Sequence, residues 1–271
     1  MEVNWHKMIN EFAPGIERNE EGWVLFSTSD QELRKQFFTA EVMKHPAKAN
    51  LFMVRAVYQH VSKPGETVMD ITAGTGSLML AALEDEPRRV VLIEMSPEYA
   101  MLIIESATMN KLQGDISRFM LLEGDCRSFL PVPVDHIIFS PPYAGAFNAG
   151  GGIINREARL ARSIEEYRND PRNLGNLTDF MFNQAMEKIY KLCFQSVRPG
   201  GTMTIIIKDR IKGGLRVELG LEAVRQSMLA GFQMDEWHRW KPSGHMFVAM
   251  KKARGERVVE DEHVIIMRRP E

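Results

Sequence analysis

Residues 67–77 read TVMDITAGTGS, an apolar run that ends at an acid and continues into a turn with two glycines. The run TVMDI (67–71) predicts a buried strand, and SLMLAALED (77–85) predicts a helix. Gly74 and Gly76 allow a tight turn and the close approach of a ligand, and the start of the helix offers free amides. The dinucleotide fingerprint G-x-G-x-x-G is incomplete, because Met79 takes the place of its third glycine.

The same alternation of strand and helix extends along the chain on both sides of this unit. Further strands are predicted at 89–94, 118–125, 134–140 and 202–208, with helices at 47–60, 97–110 and 179–197. This order predicts a doubly wound, mostly parallel α/β sheet of the Rossmann-like type, with seven strands. Near the carboxyl end, the runs 232–240 and 244–250 predict an antiparallel hairpin, to which the tail can add an edge strand.

The composition indicates a globular protein of the cytoplasm. Hydrophobic residues make up 44% and charged residues 26% of the 271 residues, and the net charge of −2 excludes a strongly basic chain without excluding a nucleic-acid partner. Cys126 and Cys193 stand alone, which predicts a reducing compartment and no structural zinc or other metal. No apolar run is long enough to span a membrane, and the first ten residues lack a signal-peptide core.

Acidic residues end three successive predicted strands. Asp70, Glu94 and Asp125 each follow an apolar run, and the carboxyl ends of parallel strands form the ligand-binding edge of such a sheet. Asp70 could accept hydrogen bonds from an ammonium group, Glu94 from two ribose hydroxyls, and Asp125 from an adenine amine. Together with the glycine turn, they predict a site for an adenosine-containing cofactor.

The fourth strand of the pattern ends in the turn FSPPY (139–143). Two prolines make a rigid corner without amide hydrogens, which leaves the Pro141 carbonyl and the Ser140 hydroxyl as acceptors. Tyr143 adds an aromatic face. This set suits a planar group that carries an NH2, such as the exocyclic amine of a nucleobase, although a proline-ended strand beside a buried tyrosine is the structural alternative.

The turn FSPPY, with DITAGTG about 65 residues upstream, resembles the S-adenosylmethionine-dependent amino-methyltransferases, over roughly residues 38–250. The serine form of the motif is typical of the N4-cytosine DNA methyltransferases. KHPAKAN (44–50) resembles the segment that these enzymes place beside the methionine part of the cofactor. The sequence departs from the family at Thr72, where many relatives have a bulky aromatic residue.

The resemblance implies roles for individual residues. The cofactor-binding residues would be Lys48, Asp70, Thr72, Ala73, Gly74, Gly76, Glu94, Asp125, Cys126 and Phe139. Ser140, Pro141, Pro142 and Tyr143 would be catalytic. Ser140 and the Pro141 carbonyl would accept from the target amine and favour a tetrahedral nitrogen, whose lone pair then attacks the sulfonium methyl in line. Tyr143 would stack on a base flipped out of the duplex.

The predicted function is methylation of the N4 amine of cytosine in DNA. The alternatives are adenine N6 in DNA, an exocyclic amine in RNA, a dinucleotide-dependent oxidoreductase, or a nucleic-acid-binding module without catalysis. The predicted organisation is an N-terminal extension (1–40), a catalytic domain (41–256) with an insertion or lid at 144–178 that could recognise the target, and a tail or edge strand (257–271). Lys208, Arg210, Lys212 and Arg216 are candidate phosphate contacts. Both a monomer and a homodimer remain open.

Overall fold

The computed structural model describes residues 12–26, 29–43, 48–142, 170–241 and 246–271. In chain order, the strands are β1 (Thr67–Asp70), β2 (Arg89–Glu94), β3 (Phe119–Glu123), β4 (Val134–Phe139), β5 (Val197–Ile207), β6 (Arg210–Lys212), β7 (Leu215–Val217), β8 (Gln233–Trp240) and β9 (Glu262–Arg268). Seven of them form one sheet in the order β3-β2-β1-β4-β5-β9-β8, and β6 pairs with β7. β1 to β5 are parallel and β9 is antiparallel to both of its neighbours, which confirms the predicted fold class.

Eight α-helices are described: α1 (Gln31–Phe37), α2 (Ala40–Met43), α3 (Leu51–Val61), α4 (Pro97–Met109), α5 (Cys126–Phe129), α6 (Asp179–Ser196), α7 (Leu219–Leu229) and α8 (Met246–Ala253). Side chains cap the starts of α3, α4, α5 and α6. The Asn50 side chain accepts the N–H groups of Phe52 and Met53, at 2.9 and 3.2 Å, at the start of α3. None of the described helices has the length and apolarity required to cross a membrane.

Two hydrophobic clusters build the core. The first contains residues of α3 and the N-terminal side chains Phe12, Val24 and Phe26, and the second contains residues of α6 and α7. The described part of the predicted N-terminal extension therefore packs in the same core as the catalytic domain. Within that part, Val24 forms isolated β-bridges with Arg18 and Trp240.

The C-terminal region corrects two predictions. Antiparallel strands are present as expected, but β8 pairs with β9, and residues 246–253 form α8 instead of a strand. The tail does not add an edge strand, because β9 lies between β5 and β8. The reason is burial: Val264, Ile265, Ile266 and Met267 are each at most 1% exposed, and a run without polar alternation fits a strand covered on both faces.

The segment after the glycine turn also differs from its prediction. Residues Ser77–Ala82 form a short 3-10 helix, where the sequence predicts a helix over 77–85.

Candidate active site

Several of the predicted site residues lie at the carboxyl edge of the sheet. β1 and β4 are parallel neighbours, with β2 and β3 continuing on one side and β5 on the other, so the strand order reverses between them. Asp70 ends β1 and Ser140 follows β4. Ligands of open α/β sheets bind at this switch point, because the connections diverge there and leave a crevice.

The glycine turn has the conformation that its sequence predicts. Gly74 has φ of +55° and Gly76 has φ of +80°, which side chains other than glycine rarely adopt. A Cβ on Gly76 would lie 2.9 Å from Ile103 Cγ1 in α4, whereas a Cβ on Gly74 would have no atom within 4 Å. Gly76 is therefore required for packing, whereas Gly74 borders open space.

Two carboxyl groups lie beside this turn. Asp70 retains partial solvent access and its carboxylate accepts the Thr72 N–H at 2.9 Å, yet the surrounding protein raises its pKa to about 7 by desolvation. Glu94 is 4% exposed, and it accepts the N–H groups of Gly74 at 2.6 Å and Ser96 at 2.7 Å. Desolvation raises the Glu94 pKa to about 7 despite these bonds, and the charge of Asp70 contributes in the same direction. A ligand with positive charge would favour the ionised form of this pair.

The other residues predicted to border the adenine are engaged by neighbouring protein groups or buried. The Asp125 carboxylate caps α5 and forms an ion pair with Arg127 at 2.6 Å. Burial opposes ionisation of Asp125, but the hydrogen bonds of Arg127 lower its pKa overall. Burial raises the pKa of the Cys126 thiol to about 12, so it is no nucleophile. Phe139 is 1% exposed with its ring centroid 6.5 Å from that of Tyr190, so its side chain belongs to the core.

A cationic group beside the turn contains a residue that no sequence motif indicates. The Arg34 side chain is fully buried; its guanidinium donates to Ser77 Oγ at 3.2 Å, to the Ala49 carbonyl at 2.6 Å and to Asp30 at 2.6 Å. Desolvation lowers the pKa of Lys48, and the charge of Arg34 lowers it further. The i,i+4 spacing of Asp30 and Arg34 is typical of an ion pair on a helix, but no sequence signal indicates its burial.

The turn after β4 contacts the glycine turn directly. Ser140 is exposed, and its carbonyl oxygen accepts a hydrogen bond from the Thr72 hydroxyl at 3.1 Å. Pro141 is buried and Pro142 is half-buried, so the corner is anchored while Ser140 stays accessible. Thr72, the position that departs from the resembling family, thus joins the two motifs. Tyr143 and most of the predicted lid, residues 143–169, lie outside the described residues.

The basic stretch predicted to contact phosphates forms the β6–β7 hairpin, and its cations face carboxylates. Arg210 and Lys212 both pair with Asp179 at the start of α6, the lysine at 2.6 Å. Arg216 pairs with Asp209 at 2.7 Å. A phosphate would have to compete with these acids for the three side chains.

Comparison with known proteins agrees with this geometry. Residues 34–149, less than half of the chain, match the model of the TRM5/TYW2 methyltransferase domain. This chain has an S-adenosylmethionine-dependent methyltransferase domain. The match begins at Arg34. It includes the glycine turn, the two carboxyl groups with raised pKa values and the SPPY turn. None of the curated proteins compared with the chain matches it.

The methyltransferase also resembles solved structures. TrmN of Thermus thermophilus superposes with a TM-score of 0.53 at 15% identity, over 82% of this chain and 49% of that chain, so this chain spans about half the length of TrmN. A methyltransferase of Pyrococcus furiosus gives 0.51 at 14% identity, over 90% of this chain and 100% of that one. A Pyrococcus horikoshii protein described as an RNA methyltransferase superposes with a TM-score of 0.50 at 16% identity, over 87% of this chain and 92% of that one. These identities establish the fold alone.

The residues present fit S-adenosylmethionine. The open space at Gly74 admits a ligand, and Asp70 and Glu94 offer carboxylates toward a molecule that carries sulfonium and ammonium charges. Arg34 supplies positive charge beside Ser77, and Lys48 lies within electrostatic range of Arg34. The prediction that the cofactor is S-adenosylmethionine is confirmed, whereas the roles of the individual residues stay predictions.

Proposed function

We propose that this methyltransferase transfers the methyl group of S-adenosylmethionine to an exocyclic amine of an RNA base. The observation that carries the proposal is the hydrogen bond of 3.1 Å between the Thr72 hydroxyl and the Ser140 carbonyl. It holds Ser140 against the glycine turn, so an amine held by Ser140 would lie next to a cofactor bound at that turn.

The chemistry required of the protein is positioning. S-adenosylmethionine supplies an electrophilic methyl group on a sulfonium. The exposed Ser140 hydroxyl and the Pro141 carbonyl would accept the two N–H groups of the amine, which pulls the nitrogen out of conjugation with its ring. Asp70 and Glu94 would orient the cofactor, and the departing proton would pass to water, directly or through the Ser140 hydroxyl. In-line placement of nitrogen and methyl accounts for most of the expected rate.

The choice of RNA over DNA departs from the leading prediction from the sequence. The matching domain is related to RNA and tRNA methyltransferases, and a structural neighbour is described as an RNA methyltransferase. The comparisons give no support to the N4-cytosine DNA interpretation, which rested on the serine of SPPY. They favour RNA, an alternative that the sequence leaves open.

The test is methyl transfer from tritiated S-adenosylmethionine to total RNA, transfer RNA transcripts and DNA, followed by nucleoside analysis. We expect label in RNA, in a nucleoside methylated on its exocyclic amine. Label confined to N4-methylcytosine or N6-methyladenine of DNA would contradict the choice of RNA. Label on a ring nitrogen or a ribose hydroxyl would contradict the proposed transfer to an exocyclic amine.

Ser140→Ala separates catalysis from cofactor binding. We expect at least a hundredfold loss of methyl transfer, because an acceptor for the amine disappears, with cofactor affinity by calorimetry within twofold of the parent. Tyr143→Ala should behave in the same way. Ser117→Ala is the matched control, because Ser117 is an exposed serine in the loop before β3. Normal turnover of both site variants would rule out the assigned roles.

A further inference from the structure

A second cluster of ligand-type side chains lies away from the active site. His60 near the end of α3 faces Glu236 and His238 of β8, and the three ligand atoms lie within 4.8 Å of one another. His60 Nε2 is 2.9 Å from both carboxylate oxygens of Glu236, and His238 Nε2 is 2.6 Å from one of them. Glu236 and His238 are two apart in a strand, so they share a face. The chain brings in His60 from 176 residues away.

The surroundings hold these side chains in place. The His238 side chain is 1% exposed, and those of His60 and Glu236 are each 17% exposed. The Phe12 ring stacks on the His238 ring with centroids 4.5 Å apart, and it meets the His60 ring edge-on at 5.5 Å. Within the described part of the chain, the ion-pair partners of Glu236 are these two imidazoles, without a lysine or arginine. The carboxylate is therefore directed entirely at the histidines.

Two imidazoles and one carboxylate are a ligand set of catalytic and structural transition-metal sites. In a tetrahedral zinc site with bonds of about 2.0 to 2.2 Å, neighbouring ligand atoms lie about 3.3 to 3.5 Å apart. The ring nitrogens lie 2.6 and 2.9 Å from the Glu236 oxygens, so shifts of less than about 1 Å would open the cluster to an ion. Such an ion would replace the protons that now join the three groups.

We propose that His60, Glu236 and His238 bind a divalent transition metal of the zinc class. Three protein ligands leave a fourth position for water or another small ligand. His238 also lines a surface cavity of about 360 Å³, together with Trp23, Trp237 and Arg239. The ion joins α3, which carries His60, to the edge strand β8, which predicts an effect on stability.

The proposal rests on geometry that the sequence does not reveal. The sequence predicts no metal, because its two cysteines stand apart and its histidines form no closely spaced motif. The cluster also lies apart from the residues assigned to methyl transfer, so it is independent of the proposed function.

Metal binding is tested on the full chain, without an affinity tag and after treatment with a chelator. We expect one equivalent of Co²⁺ to bind with visible ligand-field absorption, Zn²⁺ to displace it, and Zn²⁺ to raise the Tm by several degrees. Metal analysis of the parent protein after exposure to equimolar Zn²⁺ and gel filtration should give a ratio near one. The absence of saturable Co²⁺ absorption and of retained zinc would overturn the proposal.

Substitution of the proposed ligands tests whether the ion binds to these residues. His60→Gln and Glu236→Gln should each lower the Zn²⁺ affinity at least a hundredfold and remove the Tm increase. His136→Gln is the matched control, because it removes an imidazole that faces a carboxylate, Glu66 at 3.2 Å, without a third metal ligand among the described residues. Zinc retention in both cluster variants, or its loss in the control alone, would place the ion elsewhere and overturn the assignment.

Discussion

Asp70 and Glu94 are held where their charge is disfavoured, and this gives cofactor binding a pH dependence. Desolvation raises both pKa values to about 7, so both groups take up protons between pH 8 and pH 6. A cofactor with sulfonium and ammonium charges binds best to carboxylates. We expect its dissociation constant to be about tenfold weaker at pH 6 than at pH 8, since the ionised fraction of Asp70 changes by that factor.

Calorimetry at pH 6, 7 and 8 measures this effect. Asp70→Asn should bind more weakly at pH 8 and keep only the pH dependence that Glu94 contributes, whereas Glu123→Gln, which removes an exposed acid at the end of β3, should keep the full pH dependence. The free protein follows the opposite trend. The folded pKa values exceed those of the unfolded chain, so the contribution of this pair to stability falls as pH rises from about 4 to about 7. Equal affinity at pH 6 and pH 8 would contradict the assignment of Asp70.

Alanine should have different effects on stability and on cofactor affinity at the two glycines of the turn. Gly74→Ala and Gly76→Ala both place alanine at positive φ, which costs about 1 to 2 kcal/mol of unfolding free energy. Gly76→Ala also forces a contact with Ile103, so we expect it to be the less stable variant in urea unfolding. Gly74→Ala should fold but bind cofactor at least tenfold more weakly, because its methyl group enters the open space of the site.

Gly114→Ala is the control for the backbone cost alone. Gly114 lies in the loop between α4 and β3 with φ of +83°, and a Cβ at this position would have no atom within 4 Å. Its substitution should lower stability as Gly74→Ala does and leave cofactor affinity unchanged. If Gly74→Ala also bound cofactor normally, the cofactor would lie on another side of the turn.

At the scale of the element, a substitution in β9 tests whether this strand lies in the interior of the sheet. Ile265 is fully buried in β9 between β5 and β8. Ile265→Ala should therefore lower the free energy of unfolding by about 2 to 5 kcal/mol through the cavity that it leaves. Leu215→Ala in β7, where the side chain is 69% exposed, should cost less than about 0.5 kcal/mol. Urea unfolding measures both, and equal losses would contradict the interior position of β9.

At the scale of the whole molecule, α3 connects the two candidate sites. It begins beside the carbonyl of Ala49, which accepts a hydrogen bond from Arg34 near the cofactor turn. It carries His60 of the proposed metal cluster about 15 Å further along its axis. The N-terminal residue Phe12 packs on that cluster, so a segment that the sequence predicts as an extension is part of the core.

The local sequence was sufficient for the parallel part of the sheet and for the residues at its carboxyl edge. Asp70, Glu94 and Ser140 could be located because strand periodicity fixes where each strand ends, and parallel strands place those ends at one edge. Gly74 and Gly76 could be assigned because their conformation is a property of the residue itself.

Tertiary packing alone decided the rest. The burial of Arg34, the interior position of β9, the Arg127 partner of Asp125 and the meeting of His60 with Glu236 all depend on contacts between elements distant in the chain. The sequence by itself determined the α/β fold class and the kind of cofactor. Only the folded chain decided which charged side chains are enclosed, because desolvation depends on every segment that covers a group and not on its neighbours in sequence.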